Sequence, residues 1–135
     1  MKRVDYSFID IRRILDRIRY YVKEGSFSIA LNKNREKNLQ FIREYELDDL
    51  DKCRSLLLNV SVFDFCYSTS NYHKGYENEV LYVFCPEVHL VNILEIEKKV
   101  KVYIKIKMMH DGVLVISFHE AERTEKHLFQ RRDYQ

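Results

Sequence analysis

In residues 100–120, VKVYIKIKMMHDGVLVISFHE, side chains able to move protons or hold negative charge recur at every second position. Lys101, Tyr103, Lys105, Lys107 and Met109 alternate with Val100, Val102, Ile104, Ile106 and Met108. The second half sets Val113, Val115, Ser117 and His119 against Leu114, Ile116 and Phe118. Such alternation predicts two strands, each with one face to a core. Register follows from placing both apolar sets on one face. A two-residue turn at Asp111–Gly112 would set Ile104 against His119. A three-residue loop, His110-Asp111-Gly112, instead pairs Ile104 with Phe118, Ile106 with Ile116 and Met108 with Leu114. It asks for a left-handed last residue, which Gly112 supplies. It also sets Tyr103 opposite His119, with Cβ atoms roughly 5 Å apart, Lys105 beside Ser117 and Lys101 beside Ala121.

One sheet face should therefore gather an imidazole, a phenol and two or three ammonium groups, a set suited to cleaving RNA without a metal. In that reaction a base takes the ribose 2′-OH proton and the oxygen attacks the adjacent phosphorus. An acid protonates the departing 5′-oxygen, and a cation holds the added charge on phosphate. Histidine is the side chain whose ordinary chemistry can give and take a proton near neutral pH, which makes His119 the leading base or acid. Tyr103 can donate a proton or hydrogen bond, and Lys105, with Lys101 or Lys107, can stabilise the phosphorane. An inert solvent-facing sheet surface is the competing explanation of the same pattern. His110 reads as a turn residue. His73 and Lys74 lie in a polar loop, as ordinary loop residues or substrate contacts. Tyr67 and Tyr82 suit packing or the rim of an RNA-binding face more than chemistry.

The elements that must position this hairpin precede it. From Asp10 to Glu24, Ile11, Ile14, Leu15, Ile18 and Val22 follow helical spacing, with a cap at Asp5 or Ser7 and a stop at Gly25. Ser26–Leu31 reads as a short strand, and Asn34–Glu44 as a weak helix with Leu39, Phe41 and Ile42 inward. Asp48 and Asp51 open a further helix through Leu50, Cys53, Leu56, Leu57 and Val60. The acidic residues around them serve as capping, since their spacing fits no calcium loop. Phe63–Ser68 and Glu79–Val88 read as strands around the polar loop Thr69–Asn78. Glu87–Lys99 either extends the preceding strand or forms an inserted hairpin arm. Helices first and strands later predict an α+β domain over residues 1–135, helices packed on a mainly antiparallel sheet, with 122–135 as a C-terminal tail.

Hydrophobic residues make up 46% and charged residues 33%, which argues against disorder. The net charge of +2 is a cancellation. Residues 1–43 carry eleven Lys/Arg against five Asp/Glu, residues 44–95 three against ten, and residues 96–135 nine against six. Basic character is thus confined to the first helix and the last hairpin, where it can focus a field on one surface. No stretch reaches the ~20 apolar residues that cross a bilayer, and the opening residues lack a secretory apolar core. Cys53, Cys66 and Cys85 form no CxxC pair and read as buried, reduced thiols of a cytoplasmic protein. Neither metal nor cofactor is expected.

The order EGSFSI, NREKNLQFI, DDLDKCRSLLLNV, SVFDF, EVLYVF and VYIKIKMMHDGVLVISFHEAE resembles the MqsR (motility quorum-sensing regulator) toxin family over roughly Ile11 to Glu122. The resemblance implies a RelE-like ribonuclease fold and a metal-independent mRNA-cleaving toxin of a type II toxin–antitoxin module, inhibited by a cognate antitoxin. By motif, the family's strand tyrosine falls on Tyr103. The residue after its Ser-Phe pair, lysine in one branch and histidine in others, falls on His119. The position after Asp-Phe, where a functional lysine can occur, corresponds approximately to Tyr67, and the middle-strand glutamine falls near Tyr82. Glu87–Lys99 is longer than in the family, and Arg123–Gln135 has no counterpart. A non-catalytic RNA- or protein-binding module on the same fold is the alternative.

Overall fold

The computed structural model describes residues 2–32, 34–70, 75 and 79–135. In chain order the elements are α1 (Phe8–Lys23), β1 (Phe27–Ile29), α2 (Glu36–Glu44), α3 (Leu50–Leu58), β2 (Phe65–Ser70), β3 (Val80–Phe84), β4 (Glu87–Val91), β5 (Glu97–Met108) and β6 (Val113–Glu120). Short 3-10 turns lie at Val62–Asp64 and Arg131–Tyr134. The fold is α+β. The sheet runs β1-β6-β5-β3-β2, antiparallel except where β1 joins β6, and β4 pairs with the first half of β5.

Helices α1 and α3 begin where a side chain takes up orphan amides, whereas α2 starts at Arg35 without a side-chain cap. Ser7, not Asp5, caps α1: Asp10 N–H donates to Ser7 Oγ (3.1 Å) and Ser7 N–H to the Asp10 carboxylate (2.9 Å). Ile11, Leu15, Ile18 and Val22 are buried, each contributing roughly 1.5–3 kcal/mol. Gly25, at φ +78°, lets the chain turn away. Asp49, one residue beyond the expected Asp48, caps α3 by accepting from Asp51 N–H and Lys52 N–H. In α2 the inward position expected for Leu39 is shared with Asn38, which is 1% exposed while Leu39 is only half-buried.

The helices cover one sheet face, where Phe65, Phe84, Val102, Ile104, Ile106, Val113, Val115 and Phe118 join the core. The β5–β6 register is as expected for Tyr103–His119, Ile104–Phe118 and Lys105–Ser117, and Ala121 N–H donates to Lys101 O. Nearer the tip it slips by one residue: Ile106 faces Val115 and Met108 faces Val113, so Ile116 is the extra residue of a β-bulge. The expected Ile106–Ile116 and Met108–Leu114 pairs therefore do not form. Residues 113–116, VLVI, are apolar throughout, so alternation could not choose their face. The bulge puts Val113 and Val115 into the core with Phe118, in place of Leu114 and Ile116.

Asn38 completes the edge that the bulge leaves open. Its Nδ2 donates to Ala30 O (2.8 Å) and Ile116 O (2.9 Å), and its Oδ1 accepts from Phe118 N–H (2.8 Å). It thus extends the ladder beyond the short β1. At the hairpin tip Met109 N–H donates to Gly112 O, which closes the loop at His110–Asp111. Gly112 does not sit at positive φ, contrary to the expected left-handed role. It is needed because a Cβ there would stand 2.4 Å from Ser26 O on the approach to β1.

Glu87–Lys99 forms the hairpin arm. Cys85–Pro86 ends β3, since proline cannot donate to the ladder, and so divides the single strand expected over Glu79–Val88. At the arm's turn, Asn92 Oδ1 accepts from Leu94 N–H and Ile96 N–H, and Ile93 N–H donates to Glu44 O at the end of α2. Ile93 and Leu94 are exposed at the tip. The expected free tail is also packed: Phe129 is buried against Phe8 and Phe65. Among the described residues no helix is long and apolar enough to cross a membrane.

Candidate functional site

The sheet face turned away from the helices carries the predicted constellation. Tyr103 on β5 and His119 on β6 stack across the strand pair, ring centroids 5.5 Å apart and planes inclined by 16°. They are held flat against one another because both strands are pinned from behind by Val102, Ile104 and Phe118, all fully buried. Lys105, two residues along β5, places Nζ 5.8 Å from the Tyr103 ring centroid. These three residues, with Ser117, Glu122, Arg123 and Glu125, line a groove of about 530 Å³.

His119 Nδ1 lies 2.9 Å from Glu120 O and donates to it in the neutral ring, which leaves the Nε2 lone pair for a substrate proton. Tyr103 shares a 2.8 Å hydrogen bond with the hydroxyl of Tyr67. Burial, then the bond to Tyr67, pushes the Tyr103 phenol well above the ordinary tyrosine range, so it works as a neutral hydrogen-bonding group. Tyr67 is buried on β2, and Lys2 Nζ sits 4.3 Å from its ring centroid. It stands on the same outer face two strands to the side, as a hydrogen-bond partner of Tyr103.

The other candidates are dispersed. Tyr82 pairs with Ile106 and faces the helix side, against Tyr6, on the opposite face from Tyr103. Lys107 forms a half-buried ion pair with Glu79 and does not line the groove. Lys101 is exposed at the base of the arm, beyond the groove lining. His73 and Lys74 lie outside the described residues.

A comparison with known protein families finds no family profile that matches the chain. A search of curated proteins finds no significant match either.

Three groove residues escaped the sequence reading: Glu122, Arg123 and Glu125. Glu122 pairs with Lys37 of α2, and the Lys37 ammonium, through its hydrogen bond and then its charge, holds the Glu122 carboxyl below the usual carboxylate range. Lys37 also lines a second cavity of about 420 Å³ with Asn34, Arg35, Glu36 and Asn38, and this cavity too ends on His119. The ion pair thus links the rims of two grooves that meet at one imidazole. The signal that could have found these residues is the Leu128-Phe129 pair, too apolar for a solvated tail.

Proposed function

We propose that this protein is a metal-independent endoribonuclease of the MqsR toxin type, with a RelE-like fold, acting on single-stranded mRNA in the cytoplasm and restrained by a cognate antitoxin. The observation that carries the reading is the stacked Tyr103–His119 pair beside Lys105 in an open groove. Nε2 of His119 takes the 2′-OH proton, and the oxygen attacks the adjacent phosphorus as the bond to the 5′-oxygen breaks. The departing 5′-oxygen takes its proton from solvent water, leaving 2′,3′-cyclic phosphate and 5′-hydroxyl ends. Lys105 offsets charge on the phosphorane, and the Tyr103 hydroxyl orients it. A second cavity on the far side of His119 suits a chain that continues past the cleaved bond.

The competing reading is a binding module without catalysis. It draws support from Tyr67 and Tyr82, near which the resembled family has lysine and glutamine, and from Lys107, whose charge is already paired with Glu79. The deciding experiment incubates the purified protein with single-stranded RNA in EDTA and analyses the product ends. Cyclic phosphate and 5′-hydroxyl ends are expected, and His119→Ala should abolish them while keeping the wild-type melting temperature. Salt-sensitive binding without cleavage would establish the module instead. An absolute requirement for added metal, or full activity in His119→Ala, would overturn the assignment.

A further inference from the structure

The segment after β6 is built into the groove, yet its charged residues have no part in the mechanism above. Three points fix it beyond the groove. His127 Nε2 donates to Cys85 O (2.8 Å), Leu128 N–H donates to Phe65 O (2.9 Å), and Phe129 packs into the core. At its near end Glu122 is tied to Lys37. Between these anchors Arg123 and Glu125 form the groove wall that faces Tyr103, Lys105 and His119.

The Glu125 side chain is only 8% exposed, while that of Arg123 is 73% exposed. A carboxylate withdrawn from water on a face lined with cations needs a partner, and Arg123 Nε supplies it at 3.2 Å. A guanidinium held through Nε keeps its two Nη groups for another acceptor. Among the described contacts neither Nη group of Arg123 is engaged. The planar fork matches two oxygens of one phosphate, a geometry that the point charge of Lys105 cannot offer.

We infer that Arg123 contacts the phosphodiester of a single-stranded RNA lying across His119, and that Glu125 is the positioning residue that aims it. This deepens the nuclease reading and rests on it. Arg123 grips the non-bridging oxygens as the 2′-oxygen attacks, and Lys105 shares the added charge from β5. No covalent bond to the protein forms.

The test uses the full chain and two short single-stranded RNAs of one sequence, one cleavable and one carrying 2′-O-methyl groups throughout. Arg123→Ala should lower kcat about 100-fold or more, as loss of one charge-stabilising donor does, with a smaller rise in KM and some loss of melting temperature from the unpaired Glu125 carboxylate. Circular dichroism at the assay temperature should show the chain still folded. Arg123→Lys should recover only a minor part, and millimolar guanidinium should partly restore Arg123→Ala but not His119→Ala. Glu125→Gln should lower kcat about tenfold, since its amide still holds the fork but less firmly. On the methylated RNA, Arg123→Ala should reduce the slope of log affinity against log salt by about 0.7, the contribution of one phosphate contact to a single strand. Cleavage by Arg123→Ala within threefold of wild type, with an unchanged salt slope, overturns the inference alone. Wild-type protein that binds without cleaving overturns the nuclease reading, and the salt slope still decides Arg123. Wild-type protein that neither binds nor cleaves overturns both.

Discussion

Replacing Asn38 with alanine removes one side chain and strands three backbone groups. Ala30 O, Ile116 O and Phe118 N–H each lose a partner at 2.8–2.9 Å, and Asn38 itself is 1% exposed, so water does not readily replace it. A neutral hydrogen bond contributes about 1 kcal/mol net, and a buried group left unsatisfied costs about 1–3 kcal/mol. With some relaxation at the edge beyond β1, the whole change comes to about 3–5 kcal/mol, large for a single substitution. For a chain of this length that corresponds to roughly 10–20 °C in Tm. Asn38→Asp should be no better: it retains an acceptor for Phe118 N–H but sets a carboxylate against two carbonyls. Because Phe118 precedes His119, both variants should also broaden the His119 imidazole resonances as β6 loosens. Thermal denaturation followed by circular dichroism measures the first effect, and histidine NMR the second. A Tm within 3 °C of wild type for Asn38→Ala would refute the reasoning that the side chain completes the ladder.

Gly112→Ala places a Cβ 2.4 Å from Ser26 O and should cost about 1–3 kcal/mol by displacing β1, measurable by urea denaturation. An unaltered midpoint would show that β1 yields freely. Tyr67→Phe removes the hydrogen bond that helps raise Tyr103, so Tyr103 should ionise at lower pH than in wild type. It should nonetheless stay above the ordinary value of about 10, because burial persists; ultraviolet titration of phenolate would show an unchanged curve if the bond were absent in solution. Glu122 has a folded pKa below its unfolded value, so its pairing with Lys37 adds stability at pH above about 4.3 that is lost as pH falls through the folded pKa. Lys37→Ala should flatten that acid limb of Tm against pH and leave stability near pH 7 only slightly lower. Phe129→Ala should cost about 3–5 kcal/mol, which a solvated tail would not.

The sequence was most readable where alternation was strict. Lys101 to Met108 alternates cleanly between apolar and polar, and the Tyr103–His119 juxtaposition followed from it. Legibility failed where every residue was apolar: VLVI offers no face to choose, so the bulge at Ile116 was hidden. Asn38 was invisible for a related reason. A buried amide is placed by carbonyls and amides of distant segments, Ala30 and Ile116 among them, and these leave no local pattern. Gly112 was correctly singled out as a special residue, but a crossing backbone, not a backbone dihedral, demands it. The groove wall at Arg123 and Glu125 was missed because charge-rich segments usually read as solvated, and here a single phenylalanine further on decides otherwise.

The arm has a consequence for mechanics. Its turn is fastened to the C-terminal end of α2 by Ile93 N–H and Glu44 O, while the N-terminal half of α2 is fastened to β6 through Asn38. Strand β6 is laced to β5, and β5 runs unbroken from Glu97 past Tyr103, about 20 Å of a single backbone, out to the arm again. These members close a triangle around His119 and Tyr103. A triangulated frame resists shear in a way that a bare hairpin does not, because no side can rotate without stretching another. The bond at Glu44, with Val88 and Leu90 packed on the core behind it, ties the outer corner of that frame some distance from any residue that meets the substrate.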